Sequence, residues 1–531
     1  MWSGAVDEKP RAAYKCWVRR PLIALVLVVV TGALATPATA GTRQPSSARP
    51  QAGTGTDLAA LRAQGEAAME GARFGDAEAV YQKLIRLTPA DAVAQMQLGM
   101  ARAMGGRTAE AIAPLREALR LRPDLLPARL LLGISYLEMG RPGDAVGPLR
   151  QVVQGDPQNP NARQALAEAL LSLDKYAEAS VQLAALAAAQ PQSPQVWAAL
   201  GRSYEGIARD AFARLQAIDA DSPYVWLLAA DVLAVEEKYP QAFSLVTKAQ
   251  AALPTLPGVN GTLARIYAAS GHADWAATAQ GRADQERPAC ASLPVACAYL
   301  TGKLEDALAR TATASQPAAL YWRARAANDL AMRSFGSLEQ LPPSVERYVV
   351  RAGIARDQNQ PLEAIAQLRE ALKLAPGDPG LERDLAGALY AARDFAAALP
   401  LLERLHAQAP DAPDLQVALG EALLQSQQVE RAIGLLGRAL ARDPAMVPAQ
   451  ALLGRALVQA GEFAKAIPHL EKALDGDGDG SVHYQLAQAL QRTGNAERAR
   501  VVLSEYQKRS SAAAPAAAAP PDVPAITPPV P

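Results

Sequence analysis

The sequence predicts an all-α protein, a right-handed α-solenoid of about 12 tandem helix-turn-helix repeats. Three observations predict it. Pro89, Pro123, Pro157 and Pro191 are evenly spaced, at a period of about 34 residues. The pairs Leu98-Gly99, Leu132-Gly133, Leu166-Ala167 and Leu200-Gly201 keep the same phase, as do Ala77, Ala111, Ala145 and Ala179. The C-terminal half repeats the pattern in Pro376, Pro410 and Pro444 and in Ala364, Ala398, Ala432 and Ala466, with further glycines at Gly387, Gly420 and Gly454.

Each row has a physical reading. One period accommodates two helices of about three to four turns and two short loops. The Leu-Gly pair sits in the first helix, where glycine admits the second helix closely. The alanine row does the same from the second helix. Proline ends the second helix and sets the turn into the next repeat. Gly106, Gly140 and Gly461 fall seven residues after the Leu-Gly glycine, where the first helix has to stop. Half of the chain is apolar but only 5% is aromatic. Alanine and leucine make up most of the apolar residues and favour helix, while the shortage of aromatic and β-branched runs argues against sheet.

The period, the Leu-Gly pair, the second-helix alanine and the closing proline resemble the tetratricopeptide repeat family. The resemblance covers about residues 57–508 and is most specific over 57–191 and 345–508. The layout is similar to that of secreted bacterial members. The family's aromatic residue near the start of the first helix is Gln95 and Arg129 in two clear repeats and Trp197 in another. The resemblance implies that extended peptides or helices bind on a concave surface lined by the first helices. Carrying over the groove positions gives Val93, Met96, Met100 and Met104, then Leu130, Ile134 and Leu137, then Gln164, Glu168 and Leu171. Met96, Met100, Met104, Leu130, Ile134 and Leu137 form the expected protein-binding stripe, since adaptable methionines suit an apolar partner. The alternative is that these side chains pack between neighbouring helices. Chaperone-docking members carry a basic cradle; here Arg62 is expected to pair with Glu66 along its helix, so that partner class is not implied.

The middle is irregular. The interval from Pro191 to Pro223 falls two short of the period, and residues 287–343 lose it. Ile207-Ala208, Ala211-Phe212 and Leu215 nevertheless match Leu330-Ala331, Ser334-Phe335 and Leu338 in order and spacing, which reads as one atypical helix pair used twice. The expected organisation is an export signal (1–40), a flexible leader (41–56), an N-terminal array (57–286), an irregular helical segment with a cysteine pair (287–343), a C-terminal array (344–509) and a disordered Ala/Pro-rich tail (510–531).

The export reading rests on Lys15, Arg19 and Arg20, on the apolar run Leu22 to Ala35, and on Ala38-Thr39-Ala40 before Gly41. The run is short for a bilayer span, although an uncleaved inner-membrane anchor remains the alternative. Lys+Arg and Asp+Glu balance at 53 each; without residues 1–40, which hold five basic and two acidic residues, 48 face 51 and the net charge is −3. That balance offers no general attraction to nucleic acid. With Cys16 lost in the signal, Cys290 and Cys297 are an even pair in an oxidising compartment, either a disulfide or two small buried thiols.

Motifs for chemistry do not assemble. Asp475, Asp477, Asp479 and Gly480 imitate the start of a calcium loop, but Leu486 stands where the closing glutamate belongs, so a solvated turn is the better reading. His272, His406, His469 and His483 are scattered, and no nucleophile–base set or phosphate loop can be named. Trp197, Tyr224, Trp226 and Tyr299 are the few aromatics of the irregular middle. The expected function is therefore a non-enzymatic protein-binding scaffold of the periplasm or cell envelope, or secreted. The alternative is an accessory protein in envelope or exopolysaccharide assembly or in secretion. No cofactor, metal or small-molecule substrate is implied, and membrane contact is expected only if the signal is not cleaved.

Overall fold

The sequence period becomes a succession of paired helices. A computed structural model describes residues 54–286, 290–513 and 526–529. The expected signal, most of the leader and most of the tail lie outside the described residues. Among the described residues there are 26 α-helices and no strand.

The first four pairs are α1 (Thr54–Glu70) with α2 (Phe74–Leu87), α3 (Ala92–Met104) with α4 (Thr108–Leu121), α5 (Leu126–Glu138) with α6 (Pro142–Gly155), and α7 (Pro160–Leu171) with α8 (Tyr176–Ala189). A long helix, α9 (Pro194–Ile218), follows. Two more pairs are α10 (Pro223–Val235) with α11 (Tyr239–Ala252) and α12 (Val259–Ala269) with α13 (Ala273–Gln285). The short helices α14 (Pro294–Leu300) and α15 (Leu304–Arg310) lead into a second long helix, α16 (Pro317–Glu339). Next come α17 (Val345–Asp357) with α18 (Pro361–Leu374), and α19 (Pro379–Ala391) with α20 (Phe395–Gln408). The last pairs are α21 (Pro413–Gln425) with α22 (Val429–Arg442), α23 (Val447–Gln459) with α24 (Phe463–Ala473), and α25 (Ser481–Arg492) with α26 (Ala496–Ala513). Tandem helix pairs of this kind are the architecture of an α-solenoid.

Within a pair, the glycine of the first helix receives a leucine of the second. A Cβ on Gly99 would lie 2.6 Å from Leu115, and one on Gly454 would lie 2.5 Å from Leu470, so a side chain at either place would have to displace the leucine. The alanines at 77, 111, 145, 179, 398, 432 and 466 are fully buried at the same crossings. Gly387 does not belong to that row: its Cβ would meet nothing within 4 Å, and the buried Ala386, one period before Gly420, takes the packing position.

The turn between the two helices needs a left-handed residue. Gly106 and Gly140 supply it at φ 78° and 68°, while Ala72 and Asp174 hold φ 53° and 57° at the equivalent places, at a steric cost of about 1 kcal/mol each. The position of the family's aromatic residue also has a local task. The side chains of Arg129, Arg163, Trp197, Gln416 and Gln450 each donate to the carbonyl of the proline six residues earlier; for Trp197 and Gln416 the distances are 2.8 and 2.7 Å.

The described residues of Met1–Ile218 and Ala289–Leu341 form one compact unit, and those of Asp219–Pro288 and Pro342–Pro531 form another. In the first unit α9 and α16 are partners. Position 208, one period after Asp174, is a buried helical alanine instead of a turn residue, so α9 runs on for 25 residues and cannot fold back on itself. The gap at Gly201 is filled by Phe335 of α16, 2.2 Å from where a Cβ would stand. Arg214, near the end of α9, donates to the carbonyl of Ala314 just before α16, so the two helices run antiparallel. The matched motifs at 207–215 and 330–338 are thus not one helix pair used twice. They are the two halves of a single pair.

Candidate protein-interaction surfaces

The expected stripe on α3 and α5 is packed. Ile134 is 0% exposed; Met96, Met100, Leu130 and Leu137 are also buried, and only Met104 is half-buried. All six belong to or pack against the core of the first unit. First helices of adjacent repeats touch one another, α3 on α5 and α5 on α7, and these side chains are part of the core that the repeats share. The stripe is therefore packing, and it does not offer the free apolar surface expected of it.

The next repeat places a carboxylate in the same row. Glu168 of α7 stands one period after Ile134, is 5% exposed, and has no hydrogen-bond partner on either oxygen. Burial, assisted by the nearby charge of Glu138, pushes its pKa up to about 7. Burial likewise raises Glu138, against a hydrogen bond from the Thr108 hydroxyl at 3.1 Å. Glu78 differs. Burial opposes its ionisation, but Arg102 at 2.9 Å and Arg107 close by prevail and hold it below the usual carboxylate range.

Other charged groups are tied into the fold. Arg62 pairs with Asp91 of α3's N-cap at 2.8 Å, a correction to its expected pairing with Glu66. Arg150–Glu178, Arg431–Glu403 and Arg498–Glu471 link second helices of successive repeats. Such exposed pairs contribute about 0–1 kcal/mol each.

The Asp/Gly run is a turn. Asp477 accepts from the His483 backbone at 2.9 Å and from its ring, and Asp479 accepts from the Ser481 backbone at the start of α25. Burial opposes the ionisation of Asp477, yet these donors hold its carboxyl below the usual range. Among the described residues no group of three His, Cys, Asp or Glu side chains is placed to hold a metal. The Sγ atoms of Cys290 and Cys297 are bonded, with Cα atoms 5.2 Å apart. Pro294 starts α14 between them, so the chain turns there.

The aromatics of the irregular middle fall in different units. In the first unit, Trp197 caps back on Pro191 and Tyr299 lies 5.0 Å from Trp322. In the second, Trp226 carries Lys248 over its ring at 3.6 Å. An aromatic group on α11–α13 leaves no mark in the sequence pattern. Tyr267 lies 5.8 Å from Phe243 and 5.8 Å from Trp275, and His272 stacks on Trp275 at 4.2 Å. These side chains come from two helix pairs, and no spacing rule connects them.

A family model described as tetratricopeptide repeat matches residues 62–125. A second model of that description matches 137–202 and, in overlapping registers, 355–416, 389–456, 423–480 and 457–519. Together they span just over half of the chain. The chain belongs to the tetratricopeptide repeat family. The repeat matches leave out 203–354, the interval that contains most of α9 and all of α16. Among solved structures, one described as MamA MSR-1 is 24% identical, with a TM-score of 0.28, over 32% of this chain and 98% of its own. MamA from Desulfovibrio magneticus RS-1 is 22% identical at TM-score 0.29, over 32% of this chain and 97% of its own. A further MamA crystal structure is 20% identical at TM-score 0.28, over 32% and 92%. No curated protein sequence matches. As a tetratricopeptide repeat protein, the chain is a protein-interaction scaffold.

Proposed function

We propose that this scaffold is exported to the cell envelope and acts there without catalysis, holding partner proteins on the exposed faces of its repeats. The observation that carries the scaffold role is the succession of family repeats along the chain. Export is supported by the basic flank, apolar run and small residues of 15–40 and by a cysteine pair suited to an oxidising compartment. No helix among the described residues is long and apolar enough to cross a membrane.

Two measurements test the proposal. Intact mass of protein recovered from the envelope should give a chain starting at Gly41 and about 2 Da lighter than its fully reduced form. A chain retaining Met1 and resisting extraction from membranes would overturn cleavage in favour of an inner-membrane anchor, and cysteines that alkylate without reduction would overturn the export reading. A photo-crosslinker at Val235, exposed at the end of α10, should trap polypeptide. Adducts to glycan alone would instead favour a role in polysaccharide assembly.

A further inference from the structure

The described residues of the tail are Ile526, Thr527, Pro528 and Pro529, and they lie against the second unit's own repeats. The hydroxyl of Tyr267 donates to the carbonyl of Thr527 at 2.8 Å. The four residues have no helix or strand. Ile526 and Pro529 are half-buried, while Thr527 and Pro528 are exposed. That pattern has a cause. Proline restricts the residue before it to extended conformations, so Thr527-Pro528-Pro529 favours a polyproline II course. With about three residues per turn, positions 526 and 529 fall on one face and the residues between them turn outward. A segment of this kind lacks amide donors at both prolines and presents carbonyls that need donors from elsewhere.

The receiving surface has the matching chemistry. Tyr267 is 1% exposed; the rings of Phe243 of α11 and Trp275 of α13 each lie 5.8 Å from its ring, and His272 stacks on Trp275. Burial raises the phenol above its ordinary pKa, so its hydroxyl keeps the proton and stays a donor. Aromatic side chains with an outward hydroxyl or indole donor are the usual means of recognising polyproline II segments.

We propose that the aromatic group around Tyr267 is a docking site for proline-containing extended segments, and that the chain's own Ile526–Pro529 occupies it in cis. A tethered occupant acts at an effective concentration in the millimolar range, so a free segment of the same pattern competes poorly until the tail leaves. This inference depends neither on export nor on the identity of any partner, so its failure leaves the scaffold reading intact.

The test uses the full chain and a labelled synthetic peptide of residues 522–531, read by fluorescence anisotropy. Substituting Ile526→Asp and Pro529→Asp in the chain should evict the tail. The evicted chain should bind the peptide at least about tenfold more tightly than the unsubstituted chain. Adding Tyr267→Phe should then weaken binding about three- to tenfold, because it removes one hydrogen bond and keeps the ring. A peptide carrying Pro528→Ala and Pro529→Ala should also bind more weakly, which tests the same contact without altering the protein. No binding to the evicted chain, equal binding to both chains, or affinity unchanged by both the Tyr267 and the proline substitutions would overturn the proposal.

Discussion

Gly454 in the second unit and Gly201 in the first use one device with opposite topology. Each leaves a gap on a first helix that a large side chain fills. For Gly454 the filler is Leu470, on the very next helix across a tight turn. For Gly201 it is Phe335, reached only after the chain has built α10–α13 in the other unit and returned. The difference originates at one position, where a helical Ala208 replaces the turn residue. A repeat array tolerates such an interruption because the gap specifies the shape of its filler and places no condition on where in the sequence the filler comes from. The cost is kinetic: a contact closed over a long loop forms later than one closed over a hairpin.

The largest effect that tests this comparison is at Gly201. Gly201→Val should destabilise the first unit by about 3 kcal/mol through overpacking against Phe335. Hydrogen exchange should show the loss on α16 as well as on α9. If α16 keeps its protection while α9 loses it, the long-range pair is not integral to the unit. Gly454→Val should be similarly costly, but its effect should stay within α23–α24 and their neighbours.

A second effect concerns Glu168, which follows Met100 and Ile134 at the same place in successive repeats before α9. The equivalent residues Met100 and Ile134 are apolar. Because burial raises the folded-state pKa of Glu168 above that of the unfolded chain, its contribution is fully favourable below the ordinary carboxylate range. That contribution is lost as pH rises through about 7. Glu168→Gln should stabilise the first unit by about 2 kcal/mol at pH 8 and by little at pH 5. Thermal melts at both pH values would show it, and an equal change at both would mean that the carboxylate is already solvated.

The smallest effect sharpens the regular side of the comparison. Gln416→Leu removes the donor to the Pro410 carbonyl and should cost about 1 kcal/mol, whereas Gln416→Trp should cost less, since Trp197 makes the same bond. Urea denaturation of the two variants would separate them.

Much of the repeat fold was legible, because a fixed period reports local geometry and the crossings of Gly99 with Leu115 and Gly454 with Leu470 are local. Gly387 mimics the glycine row because it stands one residue from the phase that Ala386 keeps. The motifs at 207–215 and 330–338 stand out in the sequence, but their meeting does not, since like residues at like spacing carry no statement of who packs on whom. The methionine stripe failed for a related reason. A four-residue spacing places Met96, Met100 and Met104 along one line of a helix, and that line can face a groove or the next repeat's first helix equally well. The contact of α3 with α5 decides it, and that contact depends on how closely small residues let the repeats approach. Tyr267 and Thr527 lie 260 residues apart and share no pattern.

The bonds to the repeat-closing prolines have a wider meaning. Arginine, glutamine and tryptophan differ in charge, size and polarity, yet at this position each performs the same act with an N–H of sufficient reach. In this chain the three behave as synonyms. A reader who scores the position by residue type sees a degraded word where the family's aromatic should be. Scored by the bond it makes, the position at 129, 163, 197, 416 and 450 is spelled differently from repeat to repeat and still says the same thing.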